Sequence, residues 1–306
     1  TEKMLNLATN SSFPPSVRLI AANYLSRAEK LRMPQDSDKA IVDAIQKEED
    51  PQIRMVLAIA LGKTKTETAF NALVYQLNIE PDYRVRCNIV RAFANFDYEK
   101  IQPSVFVALK DKSLPVAQTA ANFFLTNGTA REASQYWKTA KDSAHWHVQL
   151  TLYAAAHRHM PYYFSDSKKA INWELKQRYL NSTNDHEKAA VVKALSEHGW
   201  NYRYIKQVAF PSDVPIIRTA SIEAIDQICN KKADDFRRFF GTGYRTVRKE
   251  LASYLVEAIQ SGDAGMMYSA ANTIRKPGYF FKGTIDSLSF LENALAKLSL
   301  PQEIET

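Results

Sequence analysis

Glycine is rare in this chain, with only 9 in 306 residues. A parallel α/β enzyme of this length needs several glycine-rich turns where strands hand over to helices, and none is present. Gly-x-Gly-x-x-Gly, Walker, Gly-x-Ser-x-Gly and His-Glu-x-x-His patterns are absent as well, which removes the common dinucleotide, nucleotide, hydrolase and zinc-protease signatures. Proline is sparse too, at 12, so long flexible linkers are not expected. The two cysteines, Cys87 and Cys229, lie far apart, each inside an apolar helical pattern. They read as small buried hydrophobes and not as a redox pair. Their scarcity fits a cytosolic protein and a disulfide-free periplasmic one equally. The longest apolar run, Met55 to Leu61, is far below the roughly 20 residues of a bilayer-spanning helix. The first residues carry no signal-peptide pattern. Opening at Thr1 and ending at Glu305-Thr306, the chain reads as a piece processed or excised from something longer.

What is present is an ordinary globular composition, 45% hydrophobic and 24% charged, in a chain long enough for a large core. The net charge is +7, and its excess is uneven: residues 201–282 hold thirteen Lys and Arg against eight Asp and Glu. A basic surface of this size permits an acidic partner without requiring one.

One segment, Asp50 to Gly62, supplies the key to the whole. Asp50 can cap a helix, Pro51 suits the first helical position, and Ile53, Val56, Leu57, Ala60 and Leu61 share one face. Gly62 is placed to stop the helix in a left-handed conformation. The pattern recurs: an apolar residue, a basic or polar slot, then a small or aromatic residue six positions on. The slots are Arg18, Arg54, Arg86, Ala117, Gln149, Lys188, Arg218, Arg248 and Met267. Successive intervals are 36, 32, 31, 32, 39, 30, 30 and 19 residues. Intervals of 30 to 36 are the length of a two-helix hairpin with its turns. The interval of 39 predicts an insertion, and that of 19 a truncated last unit.

Each unit also has a preceding amphipathic helix. Ser37 to Gln46, Thr66 to Leu77, Gln102 to Leu109 and Ala233 to Phe240 all carry apolar stripes at helical spacing. Hairpins with such stripes cannot bury them alone, so neighbours must stack. The expected fold is all-α: an α-α superhelix of about 16–18 helices, counted as two per slot. It is expected to run as one solenoid over 1–306, with an insertion near 157–175 and an irregular cap over 262–306.

Asp50-Pro51-x-Ile53-Arg54 through Ala60-Leu61-Gly62 resembles the second-helix signature of HEAT repeats, and the likeness covers about Phe13 to Leu298. The resemblance implies structural ladders along the seams between repeats, formed here by Arg18, Asp50, Arg54, Asp82, Arg86, Arg218 and Arg248. Buried ladder charges hold register. Ala117, Gln149 and Met267 interrupt that ladder, so the seam should be looser there. A narrower resemblance lies near the end, in Ser261 to Gly265, Ser289 to Leu295 and Leu300-Pro301-Gln302-Glu303-Ile304-Glu305-Thr306. It is similar to the HEAT region of bacterial peptidyl-prolyl isomerase fusions, in which such a stretch leads into a cyclophilin domain. The chain has neither the Phe-His-Arg-like catalytic segment of that domain nor strands to build its barrel.

Few side chains offer chemistry. The pairs His145/His147 and His157/His159 have His-x-His spacing, which on a helix points the rings about 200° apart and cannot hold one ion. His145 and His147 could precede their helix, which leaves a loop site open, but exposed or hydrogen-bonded histidines are the favoured reading for all six, His186 and His198 included, and no metal is expected. Gly241-Thr242-Gly243 fits a helix stop better than a phosphate cradle, and Asp234-Asp235 beside Arg237-Arg238 fits a solvated face better than acid–base work. Two groups remain as partner-binding candidates. Aromatics concentrate between Tyr136 and Trp173, with Trp137, Trp146, Tyr162, Tyr163 and Trp173 as candidate contacts; filling a long loop would equally account for them. The basic group Lys231, Lys232, Arg237, Arg238, Arg245 and Lys249 could meet nucleic acid, although aromatics are not interleaved with it.

The leading expectation is therefore a protein- or peptide-binding scaffold that is not an enzyme and uses no cofactor, part of a larger bacterial protein of the periplasm or cell envelope, with the cytoplasm left open. One alternative is the substrate-recruiting region of a peptidyl-prolyl isomerase whose catalytic domain lies beyond Thr306. The other is a nucleic-acid-binding array of the DNA-alkylation-repeat kind; nucleic acid is the less favoured partner.

Overall fold

The computed structural model describes residues 1–28, 32–231 and 244–275. Among the described residues every regular element is helical, with sixteen α-helices and no strand. The chain forms two compact units, Thr1–His159 and Met160–Thr306.

The first unit contains the hairpins α1 (Glu2–Thr9) with α2 (Pro15–Arg27), α3 (Ser37–Lys47) with α4 (Pro51–Gly62), α5 (Glu67–Ile79) with α6 (Tyr83–Ala92), α7 (Tyr98–Ala108) with α8 (Leu114–Asn127), and α9 (Ala133–Asp142) with α10 (Trp146–His159). The second helices pack in file, α2 on α4, α4 on α6, α6 on α8 and α8 on α10, while α1, α3 and α5 line up beside them. Each hairpin thus hides its apolar stripe against the next. Ile53, Leu57, Val85, Val90, Val116 and Phe124 are fully buried in this file.

Local chemistry sets the helix starts. Asp50 accepts the Gln52 N–H at 2.8 Å, Asp82 the Arg84 N–H at 2.8 Å, and Thr66 the Ala69 N–H at 3.1 Å. Pro51 occupies the first position of α4, where no hydrogen bond is lost. Helix α7 begins at Tyr98, earlier than its periodicity predicts, because Asp97 caps it through the Glu99 N–H at 2.9 Å. Pro103 lies inside that helix and obscured its first turn in the sequence.

Gly62 acts differently from its expected role as a left-handed stop. It is the last residue of α4, and the positive φ of 57° falls three residues later, at Lys65. What Gly62 provides is closeness: a Cβ there would lie 2.8 Å from the Ala92 Cβ and 3.0 Å from the Ala92 carbonyl oxygen. The Gly62→Ala variant should therefore lose about 1–3 kcal/mol through overpacking between α4 and α6. Denaturant titration checks this, and an unchanged midpoint would show that the two helices can part freely.

The second unit contains α11 (Ser165–Asn181), α12 (Asp185–Leu195), the short α13 (Tyr202–Tyr204) running into a π-helical turn at Ile205–Ala209, α14 (Pro215–Lys231), α15 (Tyr244–Gln260) and α16 (Ala264–Arg275). Helix α12 packs on α14, and α14 on α16, so the file of second helices recurs here. Two irregular intervals now have causes. The 39-residue interval holds the turn at 160–164 and the 17-residue α11, against 10 residues in α9. The 19-residue interval is not a truncated unit. Arg248 sits on α15, the first helix of a hairpin whose second helix is α16, so it stands outside the second-helix file. The predicted helix from Ala233 to Phe240 lies outside the described residues, as does the expected cap beyond residue 275.

Candidate functional site

The arginine slots share one geometry. Arg54 donates from Nη1 to the Glu48 carbonyl at 2.9 Å, six residues back, and from Nε and Nη2 to the Glu80 carboxylate at 3.1 and 2.8 Å. Arg86 donates from Nη1 to the Glu80 carbonyl at 2.8 Å, and from Nε and Nη2 to Asp111 at 2.8 and 3.0 Å. In the second unit, Arg218 donates from Nη1 to the Ser212 carbonyl at 2.9 Å and from Nε to Asp263 at 3.1 Å. Arg18 pairs with Glu48. Arg54, Arg86 and Arg218 therefore each tie their own pre-helical loop to a loop of the next hairpin, with the planar fork of guanidinium engaged on two sides, while Arg18 makes the cross-hairpin pair alone.

The acids of this ladder are Glu48, Glu80, Asp111 and Asp263. Asp50 and Asp82, expected in the ladder, are helix caps instead, and Asp82 pairs with Arg84 on its own helix at 2.7 Å. The signal that could have found the true partners is local: Glu48, Glu80 and Asp111 each stand two residues before the cap and accept its backbone N–H, at 3.0, 3.1 and 2.8 Å. Burial pushes the Glu80 carboxyl up, but hydrogen bonds from Arg54, Gln76 and the Asp82 N–H outweigh it and leave the group below its ordinary value. The hydrogen bond from Arg84 holds Asp82 down at about 2. Asp263 is lowered by the Met266 N–H and by Arg218. Arg248 belongs to α15, and its side chain lies outside the described residues.

The ladder is interrupted at Ala117, as its sequence slot requires, and Gln149 makes a reduced version. Its carboxamide reaches only the Ser143 carbonyl, again six residues back. Beside Ala117 a groove of about 1070 Å³ opens in the first unit. The ends of α5, α7 and α9 form its rim, and Ala117, Val148 and Leu152 form its wall; Arg86, Lys110, Asp111, Lys112, Asp142 and His145 supply charged and polar groups.

The aromatic candidates do not form one patch. Tyr136 and Tyr153 are core residues of the first unit. Trp137 is half-buried with the Lys141 ammonium 4.4 Å from its ring centroid, and Trp146 is half-buried against the His147 ring. In the second unit Tyr162, Tyr163, Phe164 and Trp173 are 61, 68, 44 and 64% exposed. The three consecutive rings touch, with centroids 5.6 Å apart for Tyr162 and Tyr163 and 5.0 Å for Tyr163 and Phe164. On α11 the buried stripe is Ile171, Leu175 and Tyr179, which leaves Trp173 and Leu180 on an exposed face.

Of the basic group, Lys249 is exposed on α15. Arg237 and Arg238 lie outside the described residues, and so does the side chain of Arg245. His145 and His147 are exposed and His157 is buried. Among the described residues no group of three or more His, Cys, Asp or Glu is placed to hold a metal ion, and no helix is long and apolar enough to cross a membrane.

Comparison with known protein families finds none that matches, and no curated protein sequence matches. Among solved structures, that of human deoxyhypusine hydroxylase is similar to 89% of this chain over 94% of its own, with 14% identity and a TM-score of 0.35. That protein is by name an enzyme, so the expectation that this chain is not an enzyme is corrected: its all-helical build gives no ground for denying catalysis. At this level of likeness no activity is transferred to it.

Proposed function

We propose that this chain binds a protein partner through exposed aromatic residues of its second unit, the ridge of Tyr162, Tyr163 and Phe164 together with Trp173 on α11. The observation that carries the reading is the exposure of four large rings at the start of the second unit, three of them in mutual contact. Tyr and Trp bring large apolar area at low conformational cost, and they dominate the energetics of protein interfaces. Stacked helical hairpins suit such a task, because each adds surface without disturbing the core of the next.

The test is recovery of partners from extracts of the source cells by immobilised full chain. The Tyr163→Ala and Trp173→Ala variants should each lose at least about tenfold in affinity for a recovered partner, while their melting temperatures stay near that of the parent chain. Retention of every partner by both variants would remove the ridge from the reading.

A further inference from the structure

We propose that the groove beside Ala117 receives an arginine side chain from an extended segment of a partner protein, in the place that the chain's own ladder leaves vacant. This goes beyond the aromatic ridge and does not depend on it, since every residue lining the groove belongs to the first unit.

The argument starts from the repeated seam. At Arg54, Arg86 and Arg218 a guanidinium bridges the carbonyl six residues back and an acid of the next loop. Gln149 keeps half of that arrangement. Only at position 117, among the slots from 54 to 149, is there no side chain beyond Cβ to reach either loop. Ala117 lines the groove, and so does Asp111, the residue six back from it. The loss is matched on the other side: the acid that would await an arginine at 117 stands at the position of Ser143, which is not an acid. The chain is therefore built without this rung, and no acid of its own ladder is stranded by it.

The groove still holds the chemistry that a guanidinium uses. Asp142 lines it, is exposed, and has no ion pair among the described residues. Asp111 takes both fork bonds from Arg86 and the Ser113 N–H, which fills Oδ1 and leaves one acceptor direction free on Oδ2. Arginine suits the slot better than lysine because its planar fork can meet a carbonyl and a carboxylate together. A volume of about 1070 Å³ is more than one side chain fills, so neighbouring residues of the partner strand lie in the groove as well. Lys110 and Lys112 stand exposed on the rim and repel a polycation. The fitting ligand is thus a single arginine with neutral or acidic neighbours.

The experiment is fluorescence anisotropy of the full chain with the labelled peptide acetyl-Glu-Ala-Arg-Ala-Glu-amide, against twins carrying citrulline or glutamate in place of arginine. The arginine peptide should bind about tenfold or more tightly than the citrulline twin, which keeps the shape and loses the charge. Ala117→Arg should abolish binding by supplying the rung in cis, and the exposed variant Asp142→Asn should weaken it several-fold even if Ala117→Arg does not fold. Tyr163→Ala should bind the peptide as the parent does, which separates this site from the ridge. Equal affinity for arginine and citrulline peptides, preference for the glutamate peptide, unimpaired binding by a folded Ala117→Arg chain, or no binding at about 1 mM would each overturn the proposal.

Discussion

Ile53→Asp is expected to unfold the first unit under ordinary buffer conditions. Ile53 is fully buried in α4, which packs between α2 and α6. An aspartate must either stay charged in an apolar site or take up a proton and remain unsatisfied; either costs several kcal/mol, a large share of the stability of a domain. The matched control is Arg131→Asp. Arg131 is 77% exposed and its partner Glu99 is 75% exposed, so losing that surface pair should change stability by less than about 1 kcal/mol. Circular dichroism melts of the two variants decide the matter. Similar shifts in both would mean that the packing of α4 described here is wrong.

Glu80→Ala should give the second largest loss, about 3 kcal/mol, measured by urea titration at neutral pH. The Glu80 side chain is fully buried and serves three donors: Arg54, Gln76 and the Asp82 N–H. Removing it strands the Arg54 guanidinium, which is only 13% exposed. The double variant Arg54→Met/Glu80→Leu should recover part of the loss, because no charge is left buried. Recovery stays incomplete, since the Glu48 and Glu49 carbonyls lose their donor. The same acids set the response to pH. Glu80, Asp82 and Asp263 titrate below their ordinary values when folded, so their contribution is complete above about pH 4.5 and fades as pH falls through the folded values, near 2 for Asp82. Glu80→Gln should therefore flatten the acid limb of the stability curve. A limb as steep as that of the parent would show that the Arg54–Glu80 pair does not set it.

How much of this was readable in advance follows the distance over which each feature acts. The caps Asp50 and Asp82, the proline at the start of α4 and the buried faces of α4 and α6 follow from residues within one or two turns. The arginine slots were readable because they recur at hairpin spacing. Their acid partners were misplaced onto the caps. Glu80 lies 26 residues from Arg54 and Asp111 lies 25 from Arg86, so only the stacking of hairpins reveals the pairing. Arg248 shows the opposite error: its local pattern copies a second helix, while its position in the hairpin is that of a first. The aromatic residues from Tyr136 to Trp173 looked like one group along the chain. Their separation into a core pair, half-buried tryptophans and an exposed ridge depends on which face of each helix meets a neighbour.

The sequence by itself determined that the protein is a series of helical hairpins, where most of those helices begin, and at which slots the ladder loses its arginine. These are consequences of side-chain periodicity and of short-range hydrogen bonds, which act within a few residues. Tertiary structure alone decided which acid each arginine meets, how closely a Cβ at Gly62 would crowd Ala92, and that Ala117 lines an open groove. Those outcomes depend on how closely one hairpin approaches the next, and that distance is settled by the packing of whole helices.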